Sequence, residues 1–201
     1  MKKCLIIYSE RPSHSHLKER LSKSIGDEEA EGICSRMTFN LLFEMIHANF
    51  VDTQLEVWGL SPADVPYFSE AFPEVRSRLQ IGGSLRDRLA TSFERCFQSG
   101  VDAAVIISGN TIGLNRQLIE EAFIRLNSNQ LVIGPSFSEG LYLIGMSSPG
   151  LPVFTGLDDD SGLLPKIIDN IEVFNIEPKI LPQLHTIEML EDLEYTQRRR
   201  T

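Results

Sequence analysis

Residues 102–109, DAAVIISG, constrain the fold of this chain more than any other stretch. The run is apolar from Ala103 to Ile107 with no polar alternation. That is the pattern of a strand covered on both faces, and so of a parallel sheet between layers of helices. Parallel neighbours need crossover connections, and the rest of the chain reads as a succession of them. Residues 4–9 (CLIIYS) form a first strand, followed by a polar loop. A long helix then starts at Gly26, with Ile33, Met37, Leu41, Met45 and Ile46 at helical spacing behind the acidic start Asp27, Glu28 and Glu29. Residues 54–60 (QLEVWGL) form a second strand, and the proline-interrupted stretch after it allows at most a short helix. In residues 84–100, Ser84 caps a helix, Asp87 stands three residues on, Leu85, Leu89, Phe93 and Phe97 share one stripe, and Gly100 is the stop. Leu118, Ile119, Ala122, Phe123 and Leu126 mark another amphipathic helix. Two strands, QLVIGPS and EGLYLIGMS, then follow in direct succession. A loop and helix (151–174), an irregular extended piece (177–184) and a last helix (188–199) complete the chain.

This order predicts a three-layer α/β/α sandwich with a mostly parallel sheet, as one domain over 1–196 with a flexible basic tail at 197–201. Ligands in such folds bind outside the carboxyl ends of the strands. The candidate loops are therefore SERPSHSHLKERL, GGSLRDR, SGNTIGL and GPSFSEG. A net charge of -9 and a pI near 5.0 argue against binding along a nucleic-acid backbone, which takes a surplus of Lys and Arg. Cys4, Cys34 and Cys96 are odd in number, widely spaced and set among apolar neighbours, so they read as buried free thiols of a cytoplasmic protein. The apolar run near the N-terminus is too short for a signal-peptide core or a membrane span. No oligomeric state follows from the sequence.

The four loops, in this order and spacing, resemble the DUF2064 or transferase 1 family of bacterial glycosyltransferase-like proteins. Lys18-Glu19-Arg20-Leu21 is similar to the family's K-T-R-L, and Gly83-Ser84-Leu85-Arg86-Asp87-Arg88 to its G-D-L-G-E-R. SGNTIGL is similar to its G-T-D-C-P-x-L, with Gly109 displaced by one and Asn110 at the aspartate. The stretch from Gly134 to Gly145 resembles G-P-A-E-D-G-G-Y-W-L-I-G. The resemblance implies a Rossmann-like nucleotide-diphospho-sugar transferase fold of the GT-A type and a nucleotide-sugar or nucleotide-diphosphate ligand. It places Lys18, Arg20 and Arg88 on the diphosphate and Asn110 near the ribose or the vestigial metal position, with Gly109 giving the nucleotide a backbone it can approach closely. In GT-A enzymes an aspartate after a central strand helps hold the divalent ion that bridges the two phosphates. Here Asn110 and Ser84 stand for aspartates, and Phe137 and Ser138 replace a glutamate-aspartate pair, with Glu139 one residue beyond. A hard cation such as Mg or Mn needs anionic oxygens, so Asn110 reads as a vestigial metal position. The expected protein is glycosyltransferase-like with its metal carboxylates largely lost. A non-catalytic ligand-binding or interaction protein on the same fold is the alternative. A nucleotidylyltransferase would use a glycine-rich first loop that this chain lacks.

The residues themselves leave several readings open. Lys18 and Arg20 either neutralise a diphosphate or form a solvated helix entry, and Arg88 either joins them or pairs with Asp87 or Glu94 on a helix surface. Asp158 and Asp159 are candidate catalytic carboxylates, as a base on an acceptor hydroxyl or a substitute cation site. The plainer reading of Asp158, Asp159 and Asp160 is that Asp160 or Ser161 caps the next helix and the others complement its dipole. His14 and His16 lack a third ligand, and neither His47 nor His185 belongs to a nucleophilic triad. Neither glycine pattern matches a dinucleotide or Walker loop.

Overall fold

The computed structural model describes residues 1–138, 140–156 and 163–198. The strands are β1 (Lys3–Tyr8), β2 (Thr53–Gly59), β3 (Arg76–Leu79), β4 (Ala103–Ser108), β5 (Thr111–Ile112), β6 (Leu131–Pro135), β7 (Leu141–Met146), β8 (Pro178–Ile180) and β9 (His185–Thr186). The helices are α1 (His16–Ile25), α2 (Asp27–His47), α3 (Asp64–Ala71), α4 (Leu85–Gln98), α5 (Arg116–Arg125), α6 (Leu163–Val173) and α7 (Leu190–Arg198). Seven strands form one sheet in the order β3-β2-β1-β4-β7-β6-β8. All run parallel except β7, which is antiparallel to both β4 and β6. The remaining two, β5 and β9, pair antiparallel in a small separate sheet, Thr111 opposite Thr186 and Ile112 opposite His185.

Both faces of the central sheet are buried, as the 102–109 run requires. Leu5, Ile7, Val105 and Ile107 face a core shared with Leu41, Leu42 and Met45 of α2, Phe68 of α3, and Ile119, Ala122 and Phe123 of α5. Their alternates Cys4, Ile6, Ala104 and Ile106 face Leu89, Phe93 and Cys96 of α4 and Ile167 and Ile171 of α6. A third cluster joins Leu17 and Leu21 of α1, Ala30 and Cys34 of α2, Ile187, and Leu193 of α7. The expected three-layer sandwich is therefore present. The three cysteines are buried free thiols. Among the described residues no helix is long and apolar enough to cross a membrane.

Two segments differ from their sequence reading. The polar loop after β1 contains α1: Ser15 Oγ accepts from the Lys18 backbone N–H at 3.1 Å as an N-cap, and Leu17, Leu21 and Ile25 make the inward stripe. Lys18 and Arg20 are thus helical residues. The extended piece at 177–184 contributes β8, a short edge strand parallel to β6. In α2 the buried face is Ala30, Cys34, Thr38, Leu41, Leu42 and Met45, while Ile33, Met37 and Ile46 are only partly covered. The 84–100 helix forms as read: Ser84 Oγ accepts from Asp87 N–H at 3.0 Å, and Asp87 Oδ2 accepts from Ser84 N–H at 3.3 Å, closing a capping box.

Candidate functional site

The chain leaves β1 toward β2 on one side of the sheet and passes to β4 on the other, so the strand order reverses between β1 and β4. Crossovers diverge at such a point and open a crevice at the carboxyl ends of the two strands. An open cleft of about 200 Å³ lies there, lined by Tyr8, Ser9 and Glu10 after β1, Ser108, Gly109 and Asn110 after β4, His16 and Arg20 of α1, Arg88 of α4, and Gln80.

The strand ends meet closely. Gly109 N–H donates to Tyr8 O at 2.8 Å, and a Cβ on Gly109 would stand 2.9 Å from that same oxygen. Glycine is required at this position because no side chain fits between the strands. Arg88 is oriented by a relay in which its Nε donates to Gln80 Oε1 at 3.1 Å and Gln80 Nε2 donates to Trp58 O at 2.8 Å. Beneath it the Tyr8 hydroxyl donates to Arg88 O at 2.9 Å, and burial pushes the Tyr8 phenol up. Arg20 is exposed at the cleft wall, and its guanidinium makes no ion pair or side-chain hydrogen bond among the described residues. Glu10 and His16 form a second polar element of the wall: the Glu10 carboxylate accepts from His16 N–H at 2.7 Å and lies 3.0 Å from His16 Nδ1.

Of the five residues read as nucleotide-binding, four line this cleft: Arg20, Arg88, Gly109 and Asn110. Lys18 does not. Its Nζ donates to Asp27 Oδ1 at 2.9 Å, and that bond holds the Asp27 carboxyl below the usual carboxylate range. Lys18 thereby ties α1 to the start of α2. Arg88 pairs with neither Asp87 nor Glu94. Asp87 is taken by Arg86, whose hydrogen bond lowers its carboxyl. Asp158, Asp159 and Asp160, with Ser161 and Glu139, lie outside the described residues. Ser13 hydrogen-bonds His14, and His47 Nδ1 lies 2.8 Å from Phe43 O.

Asn110 is occupied at both ends of its amide. Its Oδ1 accepts from Ser108 Oγ, and its Nδ2 donates to Ile187 O at 2.8 Å, while Ile187 N–H returns a bond to Asn110 O at 2.9 Å. The side chain therefore clips the segment after β9 onto the turn after β4, a task that needs an N–H donor and that aspartate cannot perform. Phe137, exposed at the tip of the β6–β7 connection, stacks on His185 with ring centroids 4.2 Å apart, and His185 meets Tyr195 of α7 at 4.5 Å. These contacts fix the same segment from its other side.

The segment so held brings in a residue that sequence reading missed. Glu188 Oε1 accepts from Ser138 Oγ at 3.2 Å, and Ser138 Oγ is 2.8 Å from Ser136 Oγ and 3.0 Å from Thr186 Oγ1. Nothing in the sequence marks Glu188, because its partners lie about fifty residues away in the chain. Glu188 and Ser138 line a second cavity of about 320 Å³, together with Leu89, Ile106, Ile144 and Leu163. Tyr8, Leu85 and Ser108 line both cavities, so the two adjoin. Among the described residues no three His, Cys, Asp or Glu side chains group to hold a metal ion. The described residues do not fit a divalent ion at Asn110, whose amide is already committed.

A seven-stranded sheet in this order, with one antiparallel strand, is the architecture of the nucleotide-diphospho-sugar transferase fold, as its likeness to solved structures shows. A solved structure from Desulfovibrio desulfuricans G20, described as a "putative nucleotide-diphospho-sugar transferase", superposes with a TM-score of 0.88 at 21% identity, covering 100% of this chain and 89% of that one. CMP:2-keto-3-deoxy-manno-octonic acid synthetase in complex with CTP gives 0.63 at 9% identity, covering 100% of this chain and 98% of that one. A mannosyltransferase from Pyrobaculum calidifontis, in complex with GDP-Man and Mn2+, gives 0.58 at 11% identity, over 99% of this chain and 60% of that one. These likenesses establish the fold. The chain belongs to the DUF2064 family, described as uncharacterized protein conserved in bacteria, whose profile matches residues 44–158. No curated protein matches it.

Proposed function

We propose that this protein binds a nucleotide-sugar through its diphosphate at the β1/β4 switch point and transfers the glycosyl group to an acceptor. The observation that carries the reading is the convergence of Arg20 and Arg88, from different helices, on a cleft floored by Gly109, where backbone can approach a phosphate without a side chain between. Two structures of the same fold hold CTP and GDP-Man. In the proposed complex Arg20 and Arg88 meet the charge of the diphosphate, and Ser108 and the Asn110 turn border the ribose. Lys18 acts indirectly by anchoring α1, and Asp158 and Asp159 remain proposed acceptor-side carboxylates. A non-catalytic ligand-binding role is the second reading, favoured by the engaged amide of Asn110 where the family has an aspartate.

A melting-temperature screen over UDP-, GDP-, ADP- and dTDP-sugars tests the binding half, since a ligand that binds only the folded state raises the midpoint in a concentration-dependent way. Arg88→Ala should cost about 1.5–3 kcal/mol of binding, the range for a hydrogen bond to a charged group. Lys18→Ala should cost much less. A protein whose midpoint no nucleotide raises does not have this function.

A further inference from the structure

The geometry points to Glu188 as the catalytic base of the site, acting on the hydroxyl of an acceptor whose apolar body occupies the second cavity. The inference rests on the nucleotide-sugar reading above and adds to it the acceptor class and the residue that takes the proton.

Three observations converge. The second cavity is amphipathic: apolar Leu89, Ile106, Ile144 and Leu163 line it together with polar Ser138 and Glu188. It shares Tyr8, Leu85 and Ser108 with the arginine cleft, so a donor sugar extending from a diphosphate there reaches the boundary between the two. Glu188 is also held for the role. Ser138 Oγ donates to its Oε1 at 3.2 Å, the Glu188 backbone N–H is fixed by Asp192 Oδ2 at 2.8 Å, and Asn110 holds the preceding carbonyl. Its Oε2 has no partner among the described residues, and no Lys or Arg there pairs with it. One oxygen is thus positioned by a hydroxyl and the other is open to a proton, as a general base requires.

The step balances as follows. The acceptor oxygen forms a bond to the anomeric carbon as the bond from that carbon to the diphosphate oxygen breaks. The electron pair leaves with the nucleoside diphosphate beside Arg20 and Arg88, and the acceptor's proton passes to Glu188 and then to water.

The test uses the full-length protein, the nucleotide-sugar that most raises its melting temperature, and water, methanol, butanol and hexanol as acceptors, with alkyl glycoside and free nucleotide measured by chromatography. Transfer to alcohol should rise with chain length, by up to about fourfold per methylene buried. Glu188→Gln keeps the oxygen that Ser138 reaches and removes the basicity. It should lower turnover roughly 100-fold or more at unchanged donor affinity. Formate should restore part of the turnover of Glu188→Ala, which a purely structural role would not allow. Turnover of Glu188→Gln within threefold of wild type overturns the inference. So does indifference to acceptor chain length, or a protein that binds donor and transfers to none of these acceptors; both leave nucleotide binding standing. Failure of every nucleotide-sugar to bind removes the underlying reading as well.

Discussion

Exchanging Asn110 for aspartate replaces one NH2 group with an oxygen, and the structure makes that exchange costly. Nδ2 donates to Ile187 O at 2.8 Å, and Ile187 is fully buried. In the variant a carboxylate oxygen faces a carbonyl oxygen, so a hydrogen bond is lost and the buried carbonyl keeps no side-chain donor. Leaving such a group unsatisfied costs about 1–3 kcal/mol, and we take ~2 kcal/mol because the return bond from Ile187 N–H survives. For a chain of this length ~2 kcal/mol corresponds to roughly 4–8 °C in the melting midpoint. Thermal melts of wild type and Asn110→Asp at neutral pH measure the effect. A variant as stable as wild type would refute the clip.

Gly134→Ala places a Cβ 2.5 Å from Tyr142 Cζ, and that buried ring is anchored by its hydroxyl to Pro182 O at 2.9 Å. It should destabilise by about 2 kcal/mol in urea melts, the middle of the overpacking range, and an unchanged midpoint would show that the ring moves freely. Ser84→Ala removes half of the α4 capping box and should cost ~1 kcal/mol, read from the same melts. The buried thiols of Cys4, Cys34 and Cys96 should react with an aromatic disulfide reagent only after denaturation, since burial pushes Cys34 up and the neighbouring Cys96, with burial, does the same to Cys4. Rapid labelling of the native protein would contradict that packing.

Elements whose signals are local could be read from the chain directly. The apolar run 102–109 became β4 with both faces covered, and Ser84, Asp87 and Gly100 bounded α4 where they were read, because capping and periodicity act between residues three or four apart. The stripe Leu17, Leu21 and Ile25 behind Ser15 was equally local, and the many polar residues around it concealed α1. Other features depend on partners far along the chain. β8 is three residues beginning with proline, and it is a strand because the edge of β6 offers it unpaired backbone groups. Lys18 matches a motif lysine in sequence, yet the placement of α2 gives it Asp27 instead of the cleft. Asn110 reads as a carboxylate lost, whereas in the fold it is a donor gained, because Ile187 arrives from 77 residues away with a carbonyl that needs an N–H. Hydrogen bonds across that separation leave no periodicity, cap or spacing in the chain, and so the residue types at 110 and 188 acquire their meaning only when the sheet order brings them together.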